Sequence, residues 1–399
     1  MRKVIILNFP THGCINSLLG TVSELVNRGE KVIYYCTEEF RNKIEQTGAE
    51  FRPYHGLLNE FIIKDYDIFR LLKFQIEMTV DKLEYNLDAI RKEDPDYIIH
   101  DSLCVWGKQI ATILKLPAVN LMHSFPIVSS SELITFYNIP VLLKVGLYKF
   151  MDFIGKNSLK RELRKKFHIN LALGDTFINR ESLNIVYTSR HIAPSIAQKM
   201  DDFYFVGPSL FFKSEQSDFP FEQLEGRKVI YISLGTLHND NSLFYKKCIS
   251  AFAGKEYLIV MSIGLATNPQ KFNDAPKNFI IRQSVPQQML LEKVDLLVTH
   301  AGMNSINEAI YNGVPMLLLP HQFEQKLISQ RVSEMGMGKV LSIKKITAAK
   351  LYEKAEDLVS NPKYKKQAFK YKSMFVEDEK TSHIKATDKI FNYISEQDK

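Results

Sequence analysis

The sequence predicts an α/β protein of two successive parallel-sheet domains with a cleft between them. Three observations predict it. Short apolar runs alternate with helix-periodic segments through the first part of the chain, a βαβα grammar that implies a mainly parallel sheet with helices on both faces. The same grammar restarts after Gly207-Pro208. In the second round, an apolar run passes through a small polar turn, Thr299-His300-Ala301-Gly302, directly into a helix start.

Taken in order, residues 4–8 read as the first strand and residues 15–28 as a helix. That helix carries Leu18, Leu19, Val22, Leu25 and Val26 on one face and is ended by Gly29. Residues 31–36 are a second strand, 38–47 a second helix, 97–100 a strand, 105–114 a helix and 118–121 a strand. Residues 125–177, rich in Phe, Leu, Ile and Lys, read as a helical insertion with apolar surface. Residues 204–206 form a short strand before the Gly-Pro. Residues 229–236 are a strand ending in a glycine turn, echoing the opening strand. Residues 257–262, 279–282, 295–299 and 315–319 are further strands, and 348–397 is a charged helical tail. The expected organisation is a first domain over 1–212, a polar linker over 213–226 and a second domain over 227–380. A terminal helix over 381–399 is expected to pack back on the first domain.

The chain's 399 residues are enough for two cores. Hydrophobic content of 45% and charged content of 24% are those of a globular protein, which excludes a disordered or fibrous chain. No segment reaches the run of about 18 apolar residues that spans a bilayer. The apolar start stops at Pro10 with no cleavage site, so stable membrane insertion and export are not expected and the cytoplasm is the expected address. Cys14, Cys36, Cys104 and Cys248 form no CxxC pair, which points to reduced thiols rather than a disulfide or zinc framework. Net charge is +7, with lysines clustered over 160–166 and 363–372 among helix formers. These read as solvated helix faces, and no aromatic-interleaved basic pattern points to nucleic acid.

The turn before residue 303 carries the chemistry. A helix N-terminus presents unpaired N–H groups and a partial positive charge, which makes it an anion site, most often for phosphate. His300, Asn304, Ser305 and Glu308 can all hydrogen-bond an oxygen-rich ligand there. Glu308, one turn on, suits a ribose diol, since a carboxylate accepts two hydroxyls at once. Set against this, Ser305 can simply cap its helix and Asn304 simply tolerate a tight turn.

An ordered series of motifs runs through the chain. Val285-Pro286-Gln287 comes first, followed by Thr299-His300-Ala301-Gly302-Met303-Asn304-Ser305, Glu308, Gly313-Val314-Pro315, Pro320 and Glu324-Gln325. It resembles the donor-binding box of UDP-dependent glycosyltransferases, most closely their bacterial macrolide-type branch. Ser233-Leu234-Gly235-Thr236 and Phe205-Val206-Gly207-Pro208 match further landmarks of that family. Asp94-Pro95-Asp96 through Asp101 and Trp106-Gly107 match its acceptor domain.

The resemblance implies the GT-B fold, two Rossmann-like domains facing across a cleft, with the first binding acceptor and the second binding nucleotide sugar. It implies a donor site from Ser233, Gly235, Thr236, Val285, Gln287, His300, Gly302, Met303, Asn304, Ser305, Glu308, Glu324 and Gln325. Diphosphate would lie at the helix start, ribose at Glu308 and the hexose toward Glu324. The donor is expected to be a UDP-sugar, UDP-glucose in this branch, serving as co-substrate with no resident cofactor. No metal is expected, since no Asp-x-Asp pair is placed to hold one. The acceptor is expected to be a small lipophilic or aromatic molecule, lined by the 125–177 insertion with Phe61, Phe69 and Phe74. The family's aromatic ahead of the Val-Pro-Gln position is replaced by Arg282-Gln283-Ser284.

The family's first loop carries a histidine that deprotonates the acceptor, aided by a downstream aspartate. Here Cys14 occupies the histidine position, His12 lies two residues before it, and Asp101 stands where the aspartate belongs. Three readings follow. In one, the loop bends so that His12 pairs with Asp101 as general base. In another, Asp101 itself, His100 or His123 assists a more acidic acceptor. In the third, Cys14 disables the chemistry and the chain binds nucleotide sugar as a partner protein. Cys14 as covalent nucleophile is disfavoured, since it would give retention and nothing in the sequence near it lowers its pKa.

Overall fold

The computed structural model describes residues 1–56, 68–124, 158–171, 179–193, 200–210, 217–235, 241–379 and 381–397. The chain divides into two compact units, residues 1–211 with 381–399, and residues 212–380.

The first unit holds β1 (Lys3–Leu7), β2 (Lys31–Cys36), β3 (Glu50–Pro53), β4 (Tyr97–Asp101), β5 (Ala118–Met122), β6 (Leu183–Val186) and β7 (Phe203–Phe205). They form one parallel sheet in the order β3-β2-β1-β4-β5-β6-β7. Its helices are α1 (His12–Asn27), α2 (Arg41–Glu45), α3 (Ile68–Lys92), α4 (Val105–Leu114) and α5 (Ser158–Phe167). Successive strand side chains point to opposite faces, so a strand covered on both sides must be apolar throughout. β1 shows this directly. Val4 and Ile6 join a cluster with α1 residues Ile15, Leu18 and Val22. Ile5 and Leu7 join another with Val105, Trp106 and Ile110 of α4 and Ile76 and Leu83 of α3.

The second unit holds β8 (Val229–Ser233), β9 (Leu258–Ser262), β10 (Phe279–Arg282), β11 (Leu296–Thr299), β12 (Met316–Leu318) and β13 (Gly338–Val340), in the order β10-β9-β8-β11-β12-β13. All pairs are parallel. Its helices are α6 (Ser242–Phe252), α7 (Gln287–Leu291), α8 (Met303–Asn312), α9 (Phe323–Glu334), α10 (Ala348–Ser360) and α11 (Pro362–Glu379). The chain then returns to the first unit. Helix α12 (Ser382–Gln397) packs on α1, with Ala386, Ile390 and Ile394 in the first unit's core.

Several elements differ from the sequence expectation. Helix α1 starts at His12 rather than residue 15, because the Thr11 hydroxyl caps it by accepting from the Cys14 N–H. β3, β6, β13 and the long helix α3 had no strand or helix expectation. Within the stretch expected as a linker, residues 221–224 form a 3₁₀ turn, and Phe219 and Leu224 are buried. Most of the expected insertion, 125–157 and 172–177, lies outside the described residues, as does Phe61. All four cysteines are buried thiols. Among the described residues no helix is long and apolar enough to cross a membrane.

Candidate active site

In the second unit, sheet register assembles the predicted donor residues. Thr299 of β11 pairs with Ser233 of β8 on one side and Leu318 of β12 on the other. The turns that leave these three strands therefore begin side by side, at the carboxyl edge where open parallel sheets bind ligands. They carry Ser233 and Gly235, then His300 to Gly302, then His321 to Gln325. Thr236 lies outside the described residues.

In the His300 turn the left-handed residue is Ala301, φ +67°. A non-glycine in that region costs about 1–2 kcal/mol, and buried Ala301 is held there partly by its N–H donating to the Thr299 hydroxyl (3.2 Å). Gly302 is extended, φ −66° and ψ 140°, and caps α8. Its lack of a side chain serves His300 instead. A Cβ on Gly302 would stand 2.6 Å from His300 Nε2, and one on Gly235 would strike the Cε1 of the same ring. Gly235 also has φ +72°, a conformation suited to glycine. The imidazole is thus seated between two glycines, one from its own turn and one from the turn after β8.

Among the described residues helix α8 has no side-chain cap and no acid in its first turn, so the positive end of its dipole is not offset by an acid of its own. Ser305 is the third helical residue, not the cap. Met303 is buried in the core and offers the site its backbone alone. Asn304 is half-buried in the same turn.

Glu308 and Gln287 form a network. The Tyr231 hydroxyl donates to Gln287 Oε1 (2.9 Å). Gln287 Nε2 donates to Glu308 Oε2 and to Ser305 Oγ (3.3 Å), and Gln288 Nε2 donates to Glu308 Oε1 (3.3 Å). Two amides thus hold the carboxylate in one orientation. Burial pushes the Glu308 pKa up, and the two glutamines pull it back. Gln287, with oxygen and amide both engaged, positions Glu308. Gln325 is similarly engaged: its Oε1 accepts from the N–H groups of His321 (2.8 Å) and Gln322 (3.1 Å), completing a capping box on α9. Glu324 lies beside it in the first turn of α9, half-buried. Val285 is half-buried in the loop between β10 and α7.

In the first unit the expected catalytic residues part company. Residues two apart on a helix lie about 200° apart around its axis. Because α1 already includes His12, His12 and Cys14 face different sides. Cys14 points into the core at 1% exposure. His12 pairs with Glu39 (3.2 Å) and meets the Phe40 ring edge-on. Burial, then Lys43, lower its pKa, with Glu39 opposing. In the reading that bends the loop, His12 would reach Asp101; in the helix that begins at His12, its ring meets Glu39 and Phe40 instead.

Asp101 is buried at the end of β4 and accepts from the N–H groups of Phe9, Leu103 (2.6 Å) and Cys104 (3.1 Å), tying β1's exit to its own turn. Burial raises its pKa, and His123 exerts the largest opposing pull. His100 is fully buried, between the Asp101 carbonyl (3.1 Å) and Glu181 (3.1 Å), with no access to an acceptor. Just past β5, however, His123 Nε2 stands 3.5 Å from Cys14 Sγ. Of the predicted acceptor-pocket residues, Phe74 packs edge-on against Phe9 in the core.

Comparisons with known proteins bear on the family and the fold. A family model described as UDP-glucoronosyl and UDP-glucosyl transferase matches residues 221–385. The UDP-glucosyltransferase YojK of Bacillus subtilis (strain 168) is 31% identical over 379 residues, 92% of each chain. The NDP-glycosyltransferase YjiC of Bacillus licheniformis is 34% identical over 372 residues, 90% of each chain. Among solved structures, the glycotransferase of kitacinnamycin shares the fold with a TM-score of 0.82 at 23% identity, covering 98% of each chain. The chain therefore belongs to the UDP-glucosyl and UDP-glucuronosyl transferase family, and is a UDP-sugar-dependent glycosyltransferase of the GT-B fold.

Proposed function

We propose that the chain moves a hexose, glucose in the first instance, from its UDP-sugar to a hydroxyl of a small lipophilic or aromatic acceptor, with inversion and without a metal. The observation that carries the donor half is the conjunction at α8. An uncapped helix start and the seated His300 form a cradle for diphosphate, and one turn on stands a carboxylate held ready for a diol. The names of the two Bacillus relatives, UDP-glucosyltransferase and NDP-glycosyltransferase, support a nucleotide-sugar donor. In the proposed step the acceptor oxygen attacks the anomeric carbon from the face opposite the diphosphate. Charge developing on that leaving group falls on preorganised N–H donors and His300, where one such donor is typically worth 10²–10³ in rate, about 3–4 kcal/mol.

Purified protein incubated with UDP-glucose and a panel of phenols and macrolides should release UDP. It should give a β-glucoside by the anomeric proton coupling of the product, and should do so unchanged in EDTA. An α-glucoside sinks inversion, and loss of activity in EDTA sinks metal independence. Tight UDP binding with no release above background across the panel instead supports a non-catalytic nucleotide-sugar-binding partner, the reading that Cys14 in place of the usual base favours.

A further inference from the structure

The side chain at position 14, where a base is expected, is a buried thiol, and the ring that reaches it comes from a different strand. We propose that His123, delivered from the end of β5, is the general base of the transfer, and that Cys14 makes room for it. The inference rests on the transfer reading above.

Geometry selects His123 from the candidates. β4 and β5 are register neighbours, Asp101 opposite Leu121, so His123 lies two residues beyond that pair, at the sheet's carboxyl edge. Its Nε2 is 3.5 Å from Cys14 Sγ on α1. Cys14 is 1% exposed and its Sγ touches the ring, so a longer side chain at position 14 would crowd His123. His123 is itself half-buried. The alternatives are engaged elsewhere. His12 pairs with Glu39, His100 is enclosed with Glu181, and both Asp101 oxygens accept from backbone N–H groups.

Among the described residues, the titratable groups around His123 are Cys14 from α1 and Asp101 from β4. Tyr34 of β2 and His100 lie beyond Asp101, within reach of its charge. Asp101 pairs electrostatically with His123 rather than standing next to a base on the first loop. It therefore stabilises an imidazolium formed at 123.

The step balances as follows. In the tautomer with its lone pair on Nε2, His123 accepts weakly from the Cys14 thiol, and an acceptor hydroxyl takes that place. The hydroxyl proton passes to Nε2. The acceptor oxygen bonds to the anomeric carbon as that carbon's bond to the diphosphate oxygen breaks, and the electron pair leaves with the nucleoside diphosphate. The imidazolium then returns its proton to water.

The test uses full-length wild type, His123→Gln, His123→Gly and His12→Ala, with UDP-glucose and the best acceptor from the panel. His123→Gln should lower kcat roughly 10²–10⁴-fold and remove the acidic limb of the kcat–pH profile. UDP affinity and the Trp106 fluorescence melting midpoint should stay close to wild type, certifying the fold. Free imidazole should restore part of the rate to His123→Gly, a rescue that a purely structural histidine does not show. His12→Ala should keep kcat within about twofold. A wild type that turns over while His123→Gln matches it in kcat and pH profile overturns the base and leaves the transfer reading intact. So does loss of turnover in His12→Ala. A wild type that binds UDP-glucose yet glycosylates nothing overturns both.

Discussion

His300 is the residue on which the donor turn is organised, and its neighbours show why. Two glycines from different strands flank one imidazole, so each tolerates a methyl group only if the ring moves. Gly302→Ala keeps an allowed backbone and should act through that ring alone. The expected result is UDP affinity down about tenfold, 1.4 kcal/mol, with a melting midpoint near wild type. Gly235→Ala adds a left-handed alanine costing about 1–2 kcal/mol, so it should also lower the midpoint. In a Gly302→Ala, His300→Ala double variant the methyl has nothing left to strike, so calorimetric titration should show strongly sub-additive losses. Additive losses would place the effect of Gly302 elsewhere.

Glu308 makes a second prediction at this scale. Burial raises its folded-state pKa above the ordinary 4.5, so the folded chain holds this proton to higher pH than the unfolded chain does. Protonation takes away acceptor capacity that a ribose diol needs. UDP affinity should therefore weaken as pH falls toward the carboxylate range, beginning earlier than an ordinary glutamate allows. Glu308→Gln should lack that component. The phosphate's own titration is common to both proteins, so their difference isolates Glu308, and a difference flat in pH would count against the diol role.

At the scale of elements, what was legible depended on burial. Strands covered on both faces are continuous apolar runs, as in Val4 to Leu7 or Leu296 to Val298, and such runs announce themselves. β3, at an edge, mixes Glu50, Arg52 and Pro53 with one buried Phe51, and β13 is three residues long, so neither has a period to detect. The candidate donor residues could be brought together from sequence because they sit within one local motif and sheet register does the rest. Cys14, His123 and Asp101 could each be named as candidates, but their adjacency could not be read, because it joins residues from three elements that only the sheet brings together. The start of α1 decided which way His12 points, and the signal was present in Thr11, a good cap three residues before Cys14.

Gln325 shows how a motif residue can serve its element first. Its oxygen caps α9 at His321 and Gln322. Gln325→Ala should thus cost about 1 kcal/mol of stability, the usual scale for a lost cap, in addition to any loss of donor binding. Gln325→Glu keeps the accepting oxygen and should melt within a degree or two of wild type, exposing in its KM for UDP-glucose whatever the amide NH₂ contributes. A Gln325→Glu variant as unstable as Gln325→Ala would show that the cap is not the stabilising interaction.

For the whole molecule, the last helix matters more than its distance along the chain suggests. α12 follows the second unit in sequence but completes the core of the first, with Ile390 fully buried and Ile394 at 2% exposure. Burying two such side chains stabilises by roughly 3–6 kcal/mol together, a large part of the 5–15 kcal/mol typical of a folded chain. The Arg28 guanidinium, bonded to Asp388, adds a rim contact. A chain ending at residue 380 should therefore lose stability in the first unit specifically. The protein reports this cleanly, because its single tryptophan, Trp106, is buried in that unit. The Trp106 fluorescence transition should shift to markedly lower urea or temperature, or be absent at ambient temperature. UDP binding, proposed above for residues 212–380, should persist within about twofold. Separately, Ile390→Ala in the full chain should reproduce part of the shift, about 2–5 kcal/mol, without touching UDP affinity. If the truncated chain kept the Trp106 transition of the full chain, α12 would be an appendage and not part of the first unit's core.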